Sequence, residues 1–167
     1  MRCASSPWLG LLFVACGGGG GSTPAATVDA VALSAAPTTT IAGAEYEREL
    51  AVQLELPAGA RPVVVAATID VPPGLTVLTP GARPATNLAE LELGGSPRAV
   101  RVLAGDATNP QPAPLASGPL FWLRIAPALP RTPGTHRLAI HGLEAATRDG
   151  ASLPVRSAPV HIDVVVE

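Results

Sequence analysis

Few side chains in this 167-residue chain are of types and spacings that could do chemistry. Glu45, Glu47 and Glu49 recur at every second position, and clustered carboxylate oxygens are what a hard cation such as calcium takes. Calcium, however, needs oxygens that converge from a bent loop, whereas alternate residues of an extended segment project in parallel. The three glutamates therefore read as one wetted face of a strand. The histidines His136, His141 and His161 lack the close spacing of a zinc site. On a regular strand, 136 and 141 also point to opposite faces. No serine sits in a G-x-S-x-G elbow, and no Ser, His and Asp set stands out. The chain accordingly reads as a non-enzyme with neither metal nor cofactor. What remains is Trp122 beside Arg124 in LFWLRIA, where alternation puts Phe121, Leu123 and Ile125 on one face and Leu120, Trp122 and Arg124 on the other. An outward tryptophan next to an arginine is the composition of a binding hot spot, since the guanidinium can stack on the ring; the alternative is a tryptophan that lies over neighbouring strands or inside the second layer.

The other reactive group is the thiol of Cys16. It ends MRCASSPWLGLLFVAC, in which Arg2 is a short positive region and Pro7 to Ala15 an apolar stretch of secretory length, too short to span a bilayer. FVAC is similar to the bacterial lipobox, whose cysteine receives a diacylglyceryl group before cleavage, with Phe13 where leucine is usual. Cys3 falls in the part to be removed, which leaves Cys16 as the only thiol and excludes a disulfide within the mature chain. A lone free thiol in an oxidising compartment is a liability that thioether lipidation removes. Residues 1–15 are thus expected to be a lipoprotein signal peptide. Residues 16–27, rich in glycine, are expected to be a flexible tether. Multiple acyl chains on Cys16 would hold the protein firmly at a membrane. Gly17, in place of aspartate, favours the outer membrane by resemblance to Gram-negative lipoproteins.

The elements that must position the rest are extended. Hydrophobic content of 47% and charged content of 14% suit one buried core in a single domain over residues 28–167. Nineteen Pro and 17 Gly leave few windows long enough for a helix. Eleven arginines against 13 acidic residues, without an arginine run after Arg2, give no nucleic-acid footprint. EYERELAVQLEL alternates with period two, placing Tyr46, Leu50, Val52, Leu54 and Leu56 on its buried side. PAGARP makes a turn and VVVAATIDV a second strand. Further runs lie at 75–78, 88–93, 99–104, 120–126, 136–143 and 159–166, with VALSA near residue 31. The sum is about nine strands separated by turn residues, an all-β antiparallel sandwich or jelly roll with Leu138 and Ile140 in its core.

Several segments, in order, resemble the cohesin modules of bacterial cell surfaces and cellulosomes: PPGLTVLTPG, RAVRVLAGDAT, SGPLFWLRIAP and PGTHRLAIHGLEAATRDGASLPV. His136 stands where that family commonly has an aromatic residue, and the loop NPQPAPLASGP is unusually rich in proline. The resemblance implies a nine-stranded jelly-roll sandwich that docks a protein partner, a dockerin in the best-known members, on one sheet face. The expected function is a lipid-anchored, non-catalytic interaction module of the cell envelope, held to the membrane through Cys16. Polysaccharide binding and an assembly role are the alternatives, although Tyr46, Phe121 and Trp122 make a short aromatic strip for stacking sugars.

Overall fold

A computed structural model describes residues 29–82, 87–94, 98–105 and 109–167. Cys16, the signal segment and the tether lie outside the described residues. The described chain is all β. Its strands are β1 (Ala32–Ala35), β2 (Thr38–Ile41), β3 (Arg48–Glu55), β4 (Val64–Val71), β5 (Leu75–Ala82), β6 (Asn87–Gly94), β7 (Arg98–Gly105), β8 (Gly118–Pro127), β9 (Gly134–Ala146) and β10 (Val160–Val166). They form two sheets, β1-β3-β8-β5 and β2-β10-β9-β4-β7-β6.

β1 and β2 are two halves of one extended run, broken at Ala36 and Pro37, that leaves one sheet and joins the other. Counted as one, they give the nine strands of a jelly-roll sandwich. The second half, TTTI, escapes a hydrophobic-pattern reading because three of its four residues are threonines on an edge strand. It also supplies a departure from a purely antiparallel sheet, pairing β10 in parallel with Thr38 opposite Asp163 and Ile41 opposite Val166.

Water is excluded from one side of each sheet. Leu50, Val52 and Leu54 of β3 and Phe121, Leu123 and Ile125 of β8 face Val65, Ile69, Val100, Val102, Leu138, Ile140, Ile162 and Val164 of the other sheet, all buried. Burying each such aliphatic side chain is worth about 1.5–3 kcal/mol.

Two facings differ from simple alternation. Tyr46 is 89% exposed, because β3 begins only at Arg48 and the first three residues of the alternating run, Glu45 to Glu47, belong to the β2–β3 connection. Leu120 is fully buried although it shares parity with Trp122. The register between β3 and β8 passes from Val52 opposite Phe121 to Gln53 opposite Pro119, leaving Leu120 as an extra residue in a bulge. A bulge lets two successive side chains turn to the same side. A second irregularity, between β4 and β9, places two further residues between His141 and Glu144, and there Gly142 takes φ +60°. That left-handed conformation is open to glycine at no steric cost.

The sandwich has two distinct ends. At one end the β2–β3 turn and the β8–β9 loop are clamped by Arg131. Its Nε donates to the backbone oxygen of Glu167 (2.9 Å), Nη1 to that of Glu45 (2.9 Å), and Nη2 to those of Ile41 (3.1 Å) and Ala42 (2.7 Å). At the other end the long β9–β10 connection turns back. Leu153 N donates to Ala145 O (2.9 Å), Val31 N to Pro154 O (2.9 Å) and Arg156 N to Val31 O (2.8 Å). The returning segment thus lies beside the end of β9 and ties it to the start of the chain's first strand.

Candidate functional site

The outer surfaces of the two sheets carry different side chains. On the four-stranded sheet Trp122 is half-buried, with Ala51 and Gly81 as its cross-strand neighbours. Arg124 is exposed, but its Nη2 donates to both carboxylate oxygens of Glu47, at 2.6 and 2.7 Å. That hydrogen bond first, and the charge of Glu47 second, raise the Arg124 guanidinium above its ordinary range. The structure therefore brings Trp122 and Arg124 to one face, as the alternation of β8 requires, and gives the arginine a carboxylate partner.

Two of the three glutamates read as a wetted face, Glu45 and Glu47, are engaged by arginines. Glu45 accepts from Arg48 (3.1 Å) and from the backbone N–H of Ala42 (3.2 Å), and Glu47 holds Arg124. Among the described residues, no three His, Cys, Asp or Glu side chains gather as metal ligands would. The histidines are dispersed. His136 lies 3.0 Å by Nε2 from Thr132 O and packs against Gly74, where a Cβ would come within 2.0 Å of the ring. His161 is exposed on β10. His141 lies on the outer face of the six-stranded sheet, its Nε2 3.0 Å from Asp70 Oδ2, at an angle that is not a hydrogen bond's.

That outer face carries a shaped feature. β4 runs between β7 and β9, so Thr68 lies opposite Arg101 on one side and His141 on the other, and Ala66 lies opposite Leu103 and Glu144. Arg101 reaches across β4 to Glu144 (2.7 Å), while His141 leans to Asp70. These two diagonal pairs flank Thr68, which is buried. Past the Arg101–Glu144 pair, towards the end where the β9–β10 connection returns, the face opens into a groove of about 300 Å³. Val64, Ala66, Leu103, Leu143, Leu153 and Val155 line it. The floor is sheet and one wall is the returning segment.

Sequence reasoning did not find this groove. Its walls come from β4, β7, β9 and a connection, and no local pattern announces that they meet. One signal was available: in RAVRVLA the alternation that sets Val100, Val102 and Ala104 on one side sets Arg101 and Leu103 on the other.

The two-sheet jelly roll, with its leading strand shared between the sheets, is a cohesin-like fold. Solved cohesins carry the same fold. The chain is similar to a non-cellulosomal cohesin from the archaeon Archaeoglobus fulgidus, at 16% identity and TM-score 0.60, covering 81% of this chain and 91% of that one. It is also similar to the OlpA cohesin of a type I cohesin–dockerin complex from Clostridium thermocellum (13% identity, TM-score 0.65, 83% and 100% covered). A cohesin module from a Clostridium perfringens family 33 glycoside hydrolase superposes likewise (10% identity, TM-score 0.63, 83% and 98% covered). No protein-family model and no curated protein sequence matches the chain.

Proposed function

We propose that this protein is a lipid-anchored, non-catalytic interaction module of the cell envelope that docks a protein partner on the outer face of its six-stranded sheet. The observation that carries the docking face is the groove walled by Leu103, Leu143, Leu153 and Val155, because a concave apolar site is where a partner's side chains gain most by leaving water. The cohesin-like fold supports the same reading, and the similar OlpA cohesin was solved with a dockerin. A dockerin-like module is accordingly the first partner to try. The test immobilises the chain and measures capture of dockerin-like and other envelope proteins by the wild type, by Leu103→Asp and by Trp122→Ala. Loss of capture with Leu103→Asp alone supports the reading, and loss with Trp122→Ala alone refutes the assigned face.

A second reading, polysaccharide binding, draws on Trp122, half-exposed on the opposite sheet beside Arg124. Glycan-array binding that Trp122→Ala abolishes and Leu103→Asp leaves intact would favour it.

The anchor is proposed from Cys16, with residues 1–15 as the signal peptide, 16–27 as the tether and the outer membrane as the destination. Cys16→Ser is expected to abolish labelling by a radioactive fatty acid and to release the protein from the membrane fraction. Label that persists on the variant overturns the assignment.

A further inference from the structure

Asp149–Gly150 is the one step in the chain at which an aspartate or asparagine precedes a glycine. At such a step the following residue has no side chain to shield its backbone nitrogen, which can close a five-membered ring on the aspartate side chain. The step lies on the turn that leaves β9, where Ala146 pairs with Ser152 and Thr147 N donates to Ala151 O (3.0 Å). Asp149 and Gly150 are both exposed there, and Gly150 takes φ +82°. We propose that Asp149 is a site of spontaneous modification in this domain, turning to isoaspartate through a cyclic imide with Gly150, and that Thr147 is the residue that holds the reaction back.

In the reaction the Gly150 nitrogen forms a bond to Asp149 Cγ while the C–OH bond of the carboxyl group breaks, and the hydroxyl leaves with the amide hydrogen as water. Water then opens the imide. Attack at Cγ restores aspartate, whereas attack at the main-chain carbonyl carbon leaves the backbone running through Cγ, as isoaspartate with a free α-carboxylate. The step needs an unengaged nitrogen and a neutral carboxyl group, and Thr147 occupies both. Its carbonyl oxygen accepts from Gly150 N (3.0 Å). Its hydroxyl donates to Asp149 Oδ1 and lies 3.1 Å from Ala151 O. That hydrogen bond first, and the backbone N–H of Asp149 after it, hold the Asp149 carboxyl below the ordinary range, so it stays ionised at neutral pH. Arg148 secures the turn in turn, its Nη2 donating to Pro112 O (2.9 Å) in the loop before β8.

The product matters because of where the turn leads. Isoaspartate lengthens the main chain by an atom inside a turn whose two ends are held at Ala146 and Ser152. Directly beyond it, Leu153 N donates to Ala145 O and Val31 N to Pro154 O, each at 2.9 Å. Leu153 and Val155 form one wall of the groove, so conversion at Asp149 loosens that wall. The chemistry stands without the docking reading; its consequence for a partner rests on that reading.

The test incubates the purified protein at neutral pH, folded or unfolded in urea. Isoaspartate is counted by methyl transfer from labelled S-adenosylmethionine with an isoaspartyl methyltransferase, and located by electron-transfer fragmentation in a mass spectrometer. The unfolded chain is expected to accumulate it at Asp149, and the folded wild type to do so at least about tenfold more slowly. Thr147→Val keeps the shape of the side chain without its hydroxyl and should recover about a tenfold in rate, the effect of one hydrogen bond to a charged group. Thr147→Ser keeps the hydroxyl and should age as the wild type does, and Asp149→Glu, whose longer side chain does not close a five-membered ring, should take no label at this turn. Circular dichroism and melting before incubation establish that each variant is folded, with Thr147→Ala in place of the valine variant where it is not. Once Asp149 is converted, hydrogen exchange at the Leu153 and Val31 amides should be faster than in the fresh protein. Thr147→Val that ages at the wild-type rate, a folded wild type that ages as fast as the unfolded chain, or isoaspartate that arises first at another residue overturns the proposal. Unchanged exchange after conversion overturns the link to the groove wall.

Discussion

Replacing Arg131 with alanine tests how the clamped end is held. The guanidinium makes four hydrogen bonds to backbone oxygens on the β2–β3 turn and at Glu167, three of them partly shielded from water. Two of its acceptors keep another donor when it is removed, since Ile41 O also receives Glu167 N (3.2 Å) and Ala42 O also receives Glu45 N (2.9 Å). The loss is therefore smaller than four charged hydrogen bonds at their full value. With about 1 kcal/mol for each of the three shielded bonds, Arg131→Ala should cost about 3 kcal/mol. For a domain of this size that corresponds to a fall in Tm of about 9–12 °C. Urea denaturation followed by circular dichroism gives the free energy, and calorimetry the Tm. Arg131→Lys should recover less than half of the loss, because an ammonium cannot reproduce the planar fork that reaches separate carbonyls. A change within about 0.5 kcal/mol for Arg131→Ala, the range of ordinary surface substitutions, would refute the clamp.

Other expectations follow from packing and charge. Gly74→Ala puts a Cβ within 2.0 Å of the His136 ring, so the imidazole must leave its place by Thr132 O. Overpacking of this kind costs about 1–3 kcal/mol, and melting of Gly74→Ala with and without His136→Ala checks it, the double variant regaining stability. Leu138→Asp buries an unpaired carboxylate at a fully buried position and should abolish the cooperative unfolding transition; a native-like melt would contradict the facing of β9. Asp163 is held below the ordinary carboxylate range, first by its hydrogen bond from Arg137 (2.8 Å) and then by that residue's charge. A lowered folded value stabilises above the unfolded one and is lost as pH falls through it, so the contribution disappears only in acid; because the pair is exposed, it is small. Arg137→Ala should move the Asp163 titration, followed by carboxyl-carbon NMR, up to the ordinary range, and an unmoved titration would remove the pair as its cause.

Much of the fold was legible because strand alternation is a local property. Phe121, Leu123 and Ile125 are inward and Leu138 and Ile140 lie in the core, as the period of two requires. Where alternation failed, the cause was register. The bulge that turns Leu120 inward arises from how β8 meets β3, and nothing in GPLFWLRIA alone fixes it. Tyr46 continues the pattern of β3 in sequence but precedes the strand in space. The second half of the split strand has no apolar period because its neighbour β10 and the Ile41 anchor, rather than its own threonines, hold it. The groove was least legible. Leu103, Leu143, Leu153 and Val155 become neighbours only after β4, β7 and β9 are side by side and the β9–β10 connection has turned back.

The broken leading strand also decides how the domain bears a pull. Tension arriving through the segment before Asp29 enters β1, hydrogen-bonded along β3, and passes through Ala36 and Pro37 into β2, which lies parallel to β10. Drawn along its own axis, this run must slide against rungs in both sheets at once instead of opening one rung after another. If residues 16–27 act as the proposed tether, a load carried by the domain would thus be shared by the backbone bonds of both sheets.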